Sequence, residues 1–392
     1  MSEINFDPVN LTQTLVKCAS VTPKDEGALT VVANHLNAMG CDCHPLTFSG
    51  NNSYEVKNLF ATIGNEGKHF AYAGHTDVVP VGNESSWKYP PFSAKIDDGK
   101  LYGRGSEDMK SSVACFISAA KRFVDKYKNI PGKISFIITG DEERDSVNGT
   151  PRILEWASKQ NYKFDHCLVG EPTSKNEVGD KVKIGRRGSV SFFFQVKGIQ
   201  GHTANSHLAE NSSHHLVNLL NSILEEPLDE GNENFLPTSV QIATIDIGNP
   251  VQNVIPELAK ATVNIRFNDM HSSDSLIKWI DNKIEKIFSK LENASCTYTY
   301  DATAESFLNK AGDLYNIISK SISDVTGRNS PPEQATDGGT SDARYIKNYC
   351  EVVELGLRNQ TLHKVDEFVF VEDIIKLENI YFRILENYFD VN

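Results

Sequence analysis

The apolar positions in the first part of the chain alternate between helical and strand-like spacing. Helical spacing covers residues 9–19 and 26–39, and the second pattern ends at Gly40, a residue suited to a left-handed helix cap. Short apolar runs typical of buried strands then alternate with further helical patterns. The strands are predicted at 68–73, 133–139 and 166–169, and the helices at 111–127 and 151–159. This alternation predicts a mostly parallel central sheet flanked by helices.

A different order of elements is predicted after the sequence GRRGS. A strand, a helix, two strands, a helix and a strand follow one another, which is the order of the split βαβ or ferredoxin-like plan. Their predicted ranges are 190–197, 212–225, 239–247, 260–267, 273–291 and 296–300. We therefore predict an α/β protein with an inserted ferredoxin-like α+β domain at 188–302. The larger domain would combine residues 1–187 with 303–392, where a strand at 351–355 precedes a final helix.

Composition and charge narrow the class of protein. The 392 residues are 39% hydrophobic and 23% charged, a globular profile long enough for two domains with cores. The formal net charge of -13 argues against a nucleic acid or an anionic membrane as the main partner, because phosphate binding needs a basic surface. Seven cysteines, most within apolar segments, are typical of buried free thiols in a reducing compartment. With no signal-peptide pattern at the start, we expect a cytoplasmic protein.

Histidines and acidic residues follow the ends of several predicted strands. The residues are His75 and Asp77, Asp141 to Glu143, Glu171 and His363, with Asp108 in the turn before a helix. Any one of them alone is more simply a polar loop residue. Together they point to a site, because ligands of open α/β sheets bind at the carboxyl ends of the strands.

Such a group of acids needs a cation, because packed carboxylates repel one another. Imidazoles with carboxylates suit Zn²⁺, or Co²⁺ and Mn²⁺, better than Ca²⁺ or Mg²⁺. Five ligands exceed what one catalytic zinc takes, but they suffice for two metals about 3.5–4 Å apart if one carboxylate bridges.

Two local patterns add detail to this metal site. Asp77 lies two residues after His75 on a strand, so its carboxylate could accept the second ring N–H and fix the tautomer. Glu142 beside Glu143 offers one carboxylate for metal and one free to act as a base. The alternative for Glu142, a solvated surface acid, remains open at this point.

Eight motifs occur in order between about residues 10 and 390. They are GHTDVVP (74–80), GRGSEDMK (103–110), TGDEE (139–143), VGEPTS (169–174), GRRGS (185–189), GIQGHTA (198–204), GGTSDAR (338–344) and LHKVDE (362–367). The set resembles the di-zinc metallopeptidase and aminoacylase family. The resemblance implies a zinc-peptidase-like catalytic domain, with the inserted domain serving for dimerisation.

The resemblance also implies metal-binding roles. Asp108 would bridge two Zn²⁺ ions, with Co²⁺ or Mn²⁺ as possible substitutes. His75 and Glu171 would complete one metal, and Glu143 and His363 the other.

Three further residues receive catalytic roles from the resemblance. Glu142 would be the general base and later the acid, and Asp77 would support the metal ligand His75. His202 resembles the histidine of the inserted domain that reaches the partner subunit's site and stabilises the oxyanion. A homodimer is therefore expected.

The implied substrate is a small anionic N-acylated amino acid. The motifs are most similar to the branch of the family that desuccinylates N-succinyl-LL-2,6-diaminopimelate. The alternative activities are deacetylation of acetylornithine and hydrolysis of dipeptides. A non-catalytic binding protein is a more remote alternative. Positions matching the substrate site of the family are Arg186, Ser189, Asn253, Arg266, Gly339, Thr340 and Asn359. For Arg187 we favour a surface charge.

The sequence departs from the family pattern at several positions. Glu107 stands where a small residue is usual, Arg144 where glycine is commoner, and Asn205 where tyrosine is usual. None of the proposed ligands is altered. We expect Glu107 and Arg144 to add charge beside the metal loops and thereby to affect fine specificity.

Overall fold

A computed structural model describes residues 4–50, 52–309 and 312–391. The helices are α1 (Pro8–Val16), α2 (Ala28–Met39), α3 (Ser111–Lys126), α4 (Thr150–Lys159), α5 (Ser212–Leu224), α6 (Ser273–Phe288), α7 (Asp313–Thr326), α8 (Ala343–Ile346) and α9 (Val371–Tyr388). The strands are β1 (Asp42–Gly50), β2 (Ser53–Gly64), β3 (Lys68–His75), β4 (Lys95–Asp97), β5 (Lys100–Tyr102), β6 (Gly132–Thr139), β7 (His166–Val169), β8 (Lys181–Lys183), β9 (Gly185–Arg186), β10 (Gly188–Lys197), β11 (Gly201–His202), β12 (Ser239–Asp246), β13 (Val254–Ile255), β14 (Leu258–Phe267), β15 (Ser295–Ala304), β16 (Phe307–Leu308), β17 (Glu333–Ala335), β18 (Glu351–Glu354) and β19 (Phe368–Phe370). In this part of the chain, no helix combines the length and apolar character that crossing a bilayer requires.

The chain forms two compact units. The first contains the described residues within Met1–Ile184, Asn309–Ala335 and Ser341–Asn392, and the second contains Gly185–Leu308 with Thr336–Thr340. The second unit thus begins and ends a few residues outside the predicted range 188–302. The reason is that β9 pairs with β16, so the strand where the chain enters the inserted unit lies beside the strand where it leaves.

The central sheet of the first unit has the strand order β1-β2-β6-β3-β7-β18-β8-β17. Its middle strands β6, β3, β7 and β18 run parallel to one another. β2 is antiparallel to β6 and to β1 on one side, and β8 is antiparallel to β18 on the other. The predicted α/β class is confirmed, with a mixed sheet whose centre is parallel. Every residue of β3 after Lys68 is buried. Because successive side chains of a strand point to opposite faces, this pattern shows that both faces are covered.

Aromatic packing joins the central sheet to two long helices. Tyr72 of β3 stacks on Phe116 of α3 with a centroid separation of 4.1 Å, and Tyr381 of α9 packs edge-on against both rings. Buried aromatic pairs of this kind contribute about 0.5–1.5 kcal/mol each beyond their buried area. The packing fixes α3, whose first residue Ser111 follows the turn that carries Asp108.

The inserted unit is built on an antiparallel sheet with the order β12-β14-β10-β15. With α5 and α6 between the strands in sequence, this is the predicted β-α-β-β-α-β plan. Apolar residues of β10 and β14 alternate inward and form one core with α5 and α6, including Phe192, Val263, Leu219 and Ile280. The period-two pattern of these strands and the helical pattern of 212–224 and 273–288 therefore account for the inserted fold.

Candidate metal centre

Four neighbouring strands of the central sheet end at the same edge. β6, β3, β7 and β18 are consecutive and parallel, so their carboxyl ends lie side by side. His75 is the last residue of β3. Glu142 and Glu143 come shortly after β6, and Glu171 comes shortly after β7. The loop that follows β18 carries His363, as the sequence pattern predicted.

His75 and Glu171 form a buried group with one oxygen of Asp108. The Nε2 atom of His75 lies 3.1 Å from Asp108 Oδ1 and 3.9 Å from Glu171 Oε1. All three residues are less than 9% exposed. We call His75, Asp108 and Glu171 the buried triad.

A second group forms on the other oxygen of the same carboxylate. His363 Nε2 lies 3.3 Å from Asp108 Oδ2 and 3.2 Å from Glu143 Oε2. The His363 side chain is 45% exposed and its backbone has a φ of 58°, a region that few non-glycine residues occupy. We call Asp108, Glu143 and His363 the loop triad.

The donor set of the two triads fits a pair of divalent cations. In each triad the candidate ligand atoms lie within 4.8 Å of one another. Asp108 belongs to both and turns one oxygen to each imidazole, which is the arrangement a bridging carboxylate needs. Imidazole nitrogen combined with carboxylate oxygen favours zinc and its transition-metal neighbours over calcium or magnesium.

The shifted pKa values of the cluster indicate that its carboxylates favour a nearby positive charge. Although burial opposes it, hydrogen bonds from His363 and His75 hold the pKa of Asp108 well below its usual range. In return, Asp108 and Glu143 raise the pKa of His363 to about 10. Burial lowers the pKa of His75, but the hydrogen bond to Asp108 together with the charges of Asp108, Asp77 and Glu142 raises it overall. Protonated rings thus balance the carboxylates, and a cation can replace those protons.

Glu142 lies beside these triads. It forms a third close group with His75 and Glu143, with candidate ligand atoms again within 4.8 Å of one another. Burial and the negative charge of Glu171 raise the pKa of Glu142 well above its usual value. A carboxyl group with a raised pKa is suited to accept and return a proton near neutral pH.

Asp77 contacts His75 in a different way from the one its spacing suggested. The ring Nδ1–H of His75 donates to the backbone carbonyl of Asp77 at 2.9 Å, while the Asp77 carboxylate lies 3.7 Å from this nitrogen. Because a carbonyl only accepts, the bond leaves Nε2 as the ring atom that faces the other ligands. The predicted acceptor, the Asp77 carboxylate, is thus replaced by the main-chain carbonyl of the same residue.

The Asp77 carboxylate instead anchors the loop that follows β6. It accepts the backbone N–H groups of Glu142 at 3.2 Å and of Glu143 at 3.1 Å, and the hydroxyl of Thr22 at 2.7 Å. These bonds lie on buried or part-buried groups, where a lost partner costs about 1–3 kcal/mol. Asp77 therefore positions both a candidate ligand and the candidate base.

Two acids with no assigned role join the loops around Asp108. Glu367, which is fully buried, accepts the N–H groups of Gly105 and Glu107 and pairs with Arg104 at 2.7 Å. Glu107 is also buried, in the turn that carries Asp108. The signal available in the sequence was the occurrence of Glu367 inside the LHKVDE motif.

The expected substrate-site residues lie mostly in the inserted unit. Arg186 is buried and donates from Nη1 to the carbonyl of Gly339 at 2.9 Å. Ser189 and Arg266 are cross-strand partners on β10 and β14. Arg266 donates from Nε to Asn264 at 3.0 Å, and burial together with the charge of Arg187 lowers its pKa.

The remaining expected residues are divided between the units. Asn253 is exposed in the inserted unit, and its carbonyl accepts the N–H of Thr203 at 3.1 Å. Thr340 is half-buried in the segment 336–340, which belongs to the same unit. Asn359 lies in the first unit, where its backbone N–H donates to Ser174 at 2.8 Å.

His202 is an exposed residue of the inserted unit. Its Nδ1 atom accepts the backbone N–H of Ala204 at 3.0 Å. In a neutral ring this leaves the proton on Nε2, which can then act as a hydrogen-bond donor. Asn205, where the family pattern has tyrosine, is exposed nearby on the same turn.

This fold and site define a class of hydrolytic enzyme. The model of peptidase family M20/M25/M40 matches residues 71–387, and the chain belongs to that family. Two curated relatives, both succinyl-diaminopimelate desuccinylases, cover nearly the whole chain. The protein from Ehrlichia canis is 44% identical over 99% of this chain and 100% of its own, and the one from Parvibaculum lavamentivorans is 44% identical over 98% of this chain and 96% of its own.

Solved structures share the fold at lower identity. An M20 family metallo-carboxypeptidase from Sulfolobus solfataricus superimposes with a TM-score of 0.77 at 17% identity, covering 98% of this chain and 100% of that one. A Bacillus subtilis protein described as a dinuclear metal binding peptidase of the M20 family gives a TM-score of 0.67 at 14% identity, with 97% of each chain covered.

Proposed function

We propose that this protein hydrolyses the amide bond of N-succinyl-LL-2,6-diaminopimelate, giving succinate and LL-2,6-diaminopimelate. The observation that carries the proposal is the pair of triads sharing Asp108, with Glu142 beside them. The desuccinylases that are 44% identical over nearly the whole chain support the choice of substrate. The reaction belongs to diaminopimelate and lysine biosynthesis, and a cytoplasmic location would suit it.

Two Zn²⁺ ions are the proposed cofactors, with Co²⁺ or Mn²⁺ as substitutes. The buried triad would hold one ion and the loop triad the other, with Asp108 between them. When bound, such a pair lowers the pKa of a coordinated water and polarises the amide carbonyl.

Glu142 is the proposed proton carrier of the reaction. Its carboxylate takes a proton from the attacking water, whose oxygen forms a bond to the amide carbon. The C–N bond then breaks, and Glu142 returns the proton to the departing amine of diaminopimelate. The Asp77 carboxylate holds the backbone of Glu142 in place during both transfers.

We assign the oxyanion donor to His202, acting on the partner subunit of a homodimer. The hydrogen bond from Ala204 leaves Nε2–H available as a donor, which supports the assignment. His202→Ala should lower kcat about 10²–10³-fold, as for one oxyanion-hole donor. Mixing His202→Ala subunits with Glu142→Ala subunits should restore part of the activity. A near-normal kcat of the single variant would remove His202 from the mechanism.

Features of the inserted unit support a homodimer. β12 is an edge strand of its sheet, and such edges present backbone groups for pairing with another chain. Ile245 on β12 is exposed, as are Val217 and Leu224 of α5, which lie seven residues apart and so share a helix face. Val217→Asp combined with Leu224→Asp should shift the mass measured by light scattering from dimer to monomer.

The carboxylates of the substrate need cationic partners, and two arginines are our candidates. Arg186 and Arg266 carry the planar group that pairs bidentately with a carboxylate. Ser189, Asn253, Gly339, Thr340 and Asn359 are proposed as further substrate contacts. Replacing either arginine by leucine should raise KM more than it lowers kcat.

The experiment that tests the function compares two substrates on zinc-loaded protein. N-succinyl-LL-2,6-diaminopimelate and N-acetylornithine are supplied side by side, and release of the free amine is measured. A strong preference for the succinyl compound is expected. Preference for acetylornithine would keep the chemistry and overturn the substrate. Metal binding without hydrolysis of these compounds or of a dipeptide panel would favour a non-catalytic binding protein.

A further inference from the structure

Glu107 occupies an unusual place for an acid. It is 1% exposed and lies between Ser106 and Asp108 in the turn that precedes α3. Burying a carboxylate is unfavourable unless it is well paired or hydrogen-bonded. Its contacts therefore show what the position is used for.

The carboxylate of Glu107 binds the loop that leads to His363. Its Oε1 atom accepts the backbone N–H of Gln360 at 2.6 Å. Its Oε2 atom accepts the backbone N–H of Thr361 at 2.7 Å and also the hydroxyl of Thr361. Three donors from two consecutive residues thus converge on the Glu107 carboxylate, and the second of these residues, Thr361, lies two positions before His363.

The backbone of Glu107 faces the other end of the same loop. Its N–H donates to Glu367 Oε1 at 2.8 Å. Residues on both sides of His363 are therefore fastened to the turn that carries Asp108. Arg104 adds a third connection, through its hydrogen bond to the carbonyl of Lys364 at 3.1 Å.

The side chain most in need of this fixation is His363. It is half-exposed and extends from a loop, and its Nε2 must lie close to Asp108 and Glu143 at once. His75, by contrast, ends a strand that is buried from its second residue onward and has its own hydrogen bond to the Asp77 carbonyl. Loss of the Glu107 contacts should affect the loop triad and leave the buried triad unchanged.

We propose that Glu107 is a positioning residue that holds the His363 loop against the Asp108 turn and thereby sets the affinity of the loop triad for its metal. The proposal rests on the two-metal site of the proposed function. It assigns Glu107 a role through His363 and not a contact with substrate.

The test is a calorimetric titration of the metal-free protein with Zn²⁺ alone. Glu107→Ala should weaken one of the two sites about 10- to 100-fold, the range for residues that orient metal ligands, and leave the other unchanged. Thr361→Val keeps the backbone bond to Glu107 but removes the hydroxyl, with its contact to Glu107 and its hydrogen bonds to the backbone of Phe368, so the same site should weaken about 2- to 10-fold. The matched control is Glu378→Gln, which alters a buried acid of α9 in the same unit, paired with Arg122 of α3. It should leave both affinities unchanged.

Substitution of Co²⁺ for Zn²⁺ gives a second readout. In Glu107→Ala, the visible absorption of the weaker-bound ion should change while that of the tighter-bound ion stays the same. Unchanged affinities with a lowered thermal midpoint, as expected for Glu378→Gln, would overturn the proposal and leave Glu107 a stabilising residue only. If Glu107→Ala does not fold, unchanged affinities in Thr361→Val would do the same. Wild-type protein that binds no pair of metals would overturn the proposed function instead.

Discussion

The two halves of the metal centre share one carboxylate but are built in different ways. The buried triad takes His75 directly from the end of a strand, and its members are nearly inaccessible to solvent. The loop triad depends on His363, whose side chain is 45% exposed and whose backbone has a positive φ. One half is therefore placed by the sheet, and the other by hydrogen bonds between loops.

A ligand at the end of a strand and a ligand on a loop are held in place by different interactions. A strand end inside a packed sheet holds its side chain through the rigidity of the core, and β3 is buried on both faces. A loop has no such support, so its position depends on bonds such as those of Glu107 and Glu367. The more accessible half is also the one through which we expect an ion to exchange more readily.

The largest effect should come from removing the residue that both halves share. Asp108→Ala should lose both metals, because each triad loses its central oxygen. The attacking water is then no longer activated, so kcat should fall at least as far as it does when a general base is lost, which is about 10²–10⁴-fold. Elemental analysis of the purified variant gives the metal content. Retention of one tightly bound metal would mean that the halves are independent.

Glu142→Gln should affect the chemistry and neither half of the metal centre. We expect kcat to fall about 10²–10⁴-fold, because the variant cannot move a proton, with two metals still bound. Steady-state kinetics and elemental analysis on the same sample measure both. Loss of a metal in this variant would show that Glu142 is a ligand and not the base.

The two histidines should differ in their effect on stability. In metal-free protein, His75→Ala should lower the free energy of unfolding by about 1–3 kcal/mol, because buried acids lose their positive partner. His363→Ala should lower it by less than His75→Ala does, because the half-exposed ring lets water replace part of its charge beside Asp108 and Glu143. Urea denaturation in the presence of a chelator measures both. Equal losses would contradict the distinction between the halves.

The smallest effect in this series is on the pH dependence of zinc binding. Carboxylates raise the pKa of His363 to about 10, so its ring carries a proton at neutral pH that zinc must displace. Zinc affinity should therefore rise with pH, by about tenfold per unit for each displaced proton. Calorimetry in buffers of different ionisation enthalpy counts the protons. An affinity independent of pH between 6 and 8 would contradict this charge balance.

The convergence of the candidate ligands could be predicted from the sequence because it follows from strand ends. Hydrophobic runs located β3, β6 and β7, and parallel strands bring their carboxyl ends to one edge. The ferredoxin-like plan of the inserted unit was accessible in the same way, since each of its elements has a clear period.

The remaining features depend on tertiary contacts that no local pattern encodes. Residues 336–340 belong to the inserted unit although they are distant from it in sequence, and Gly339 accepts a hydrogen bond from Arg186 there. The bond from His75 to the Asp77 carbonyl, in place of its carboxylate, depends on the turn after β3. The burial of Glu107 depends on a loop more than 250 residues later.

The two oxygens of Asp108 face different histidines, and we expect each of them to bind one metal. The most direct test is a crystal of the zinc-loaded protein measured at wavelengths on both sides of the zinc absorption edge. We expect two anomalous peaks about 3.5–4 Å apart, one beside His75 and Glu171 and the other beside Glu143 and His363. A single peak at full zinc saturation, or two peaks without Asp108 between them, would contradict the shared site.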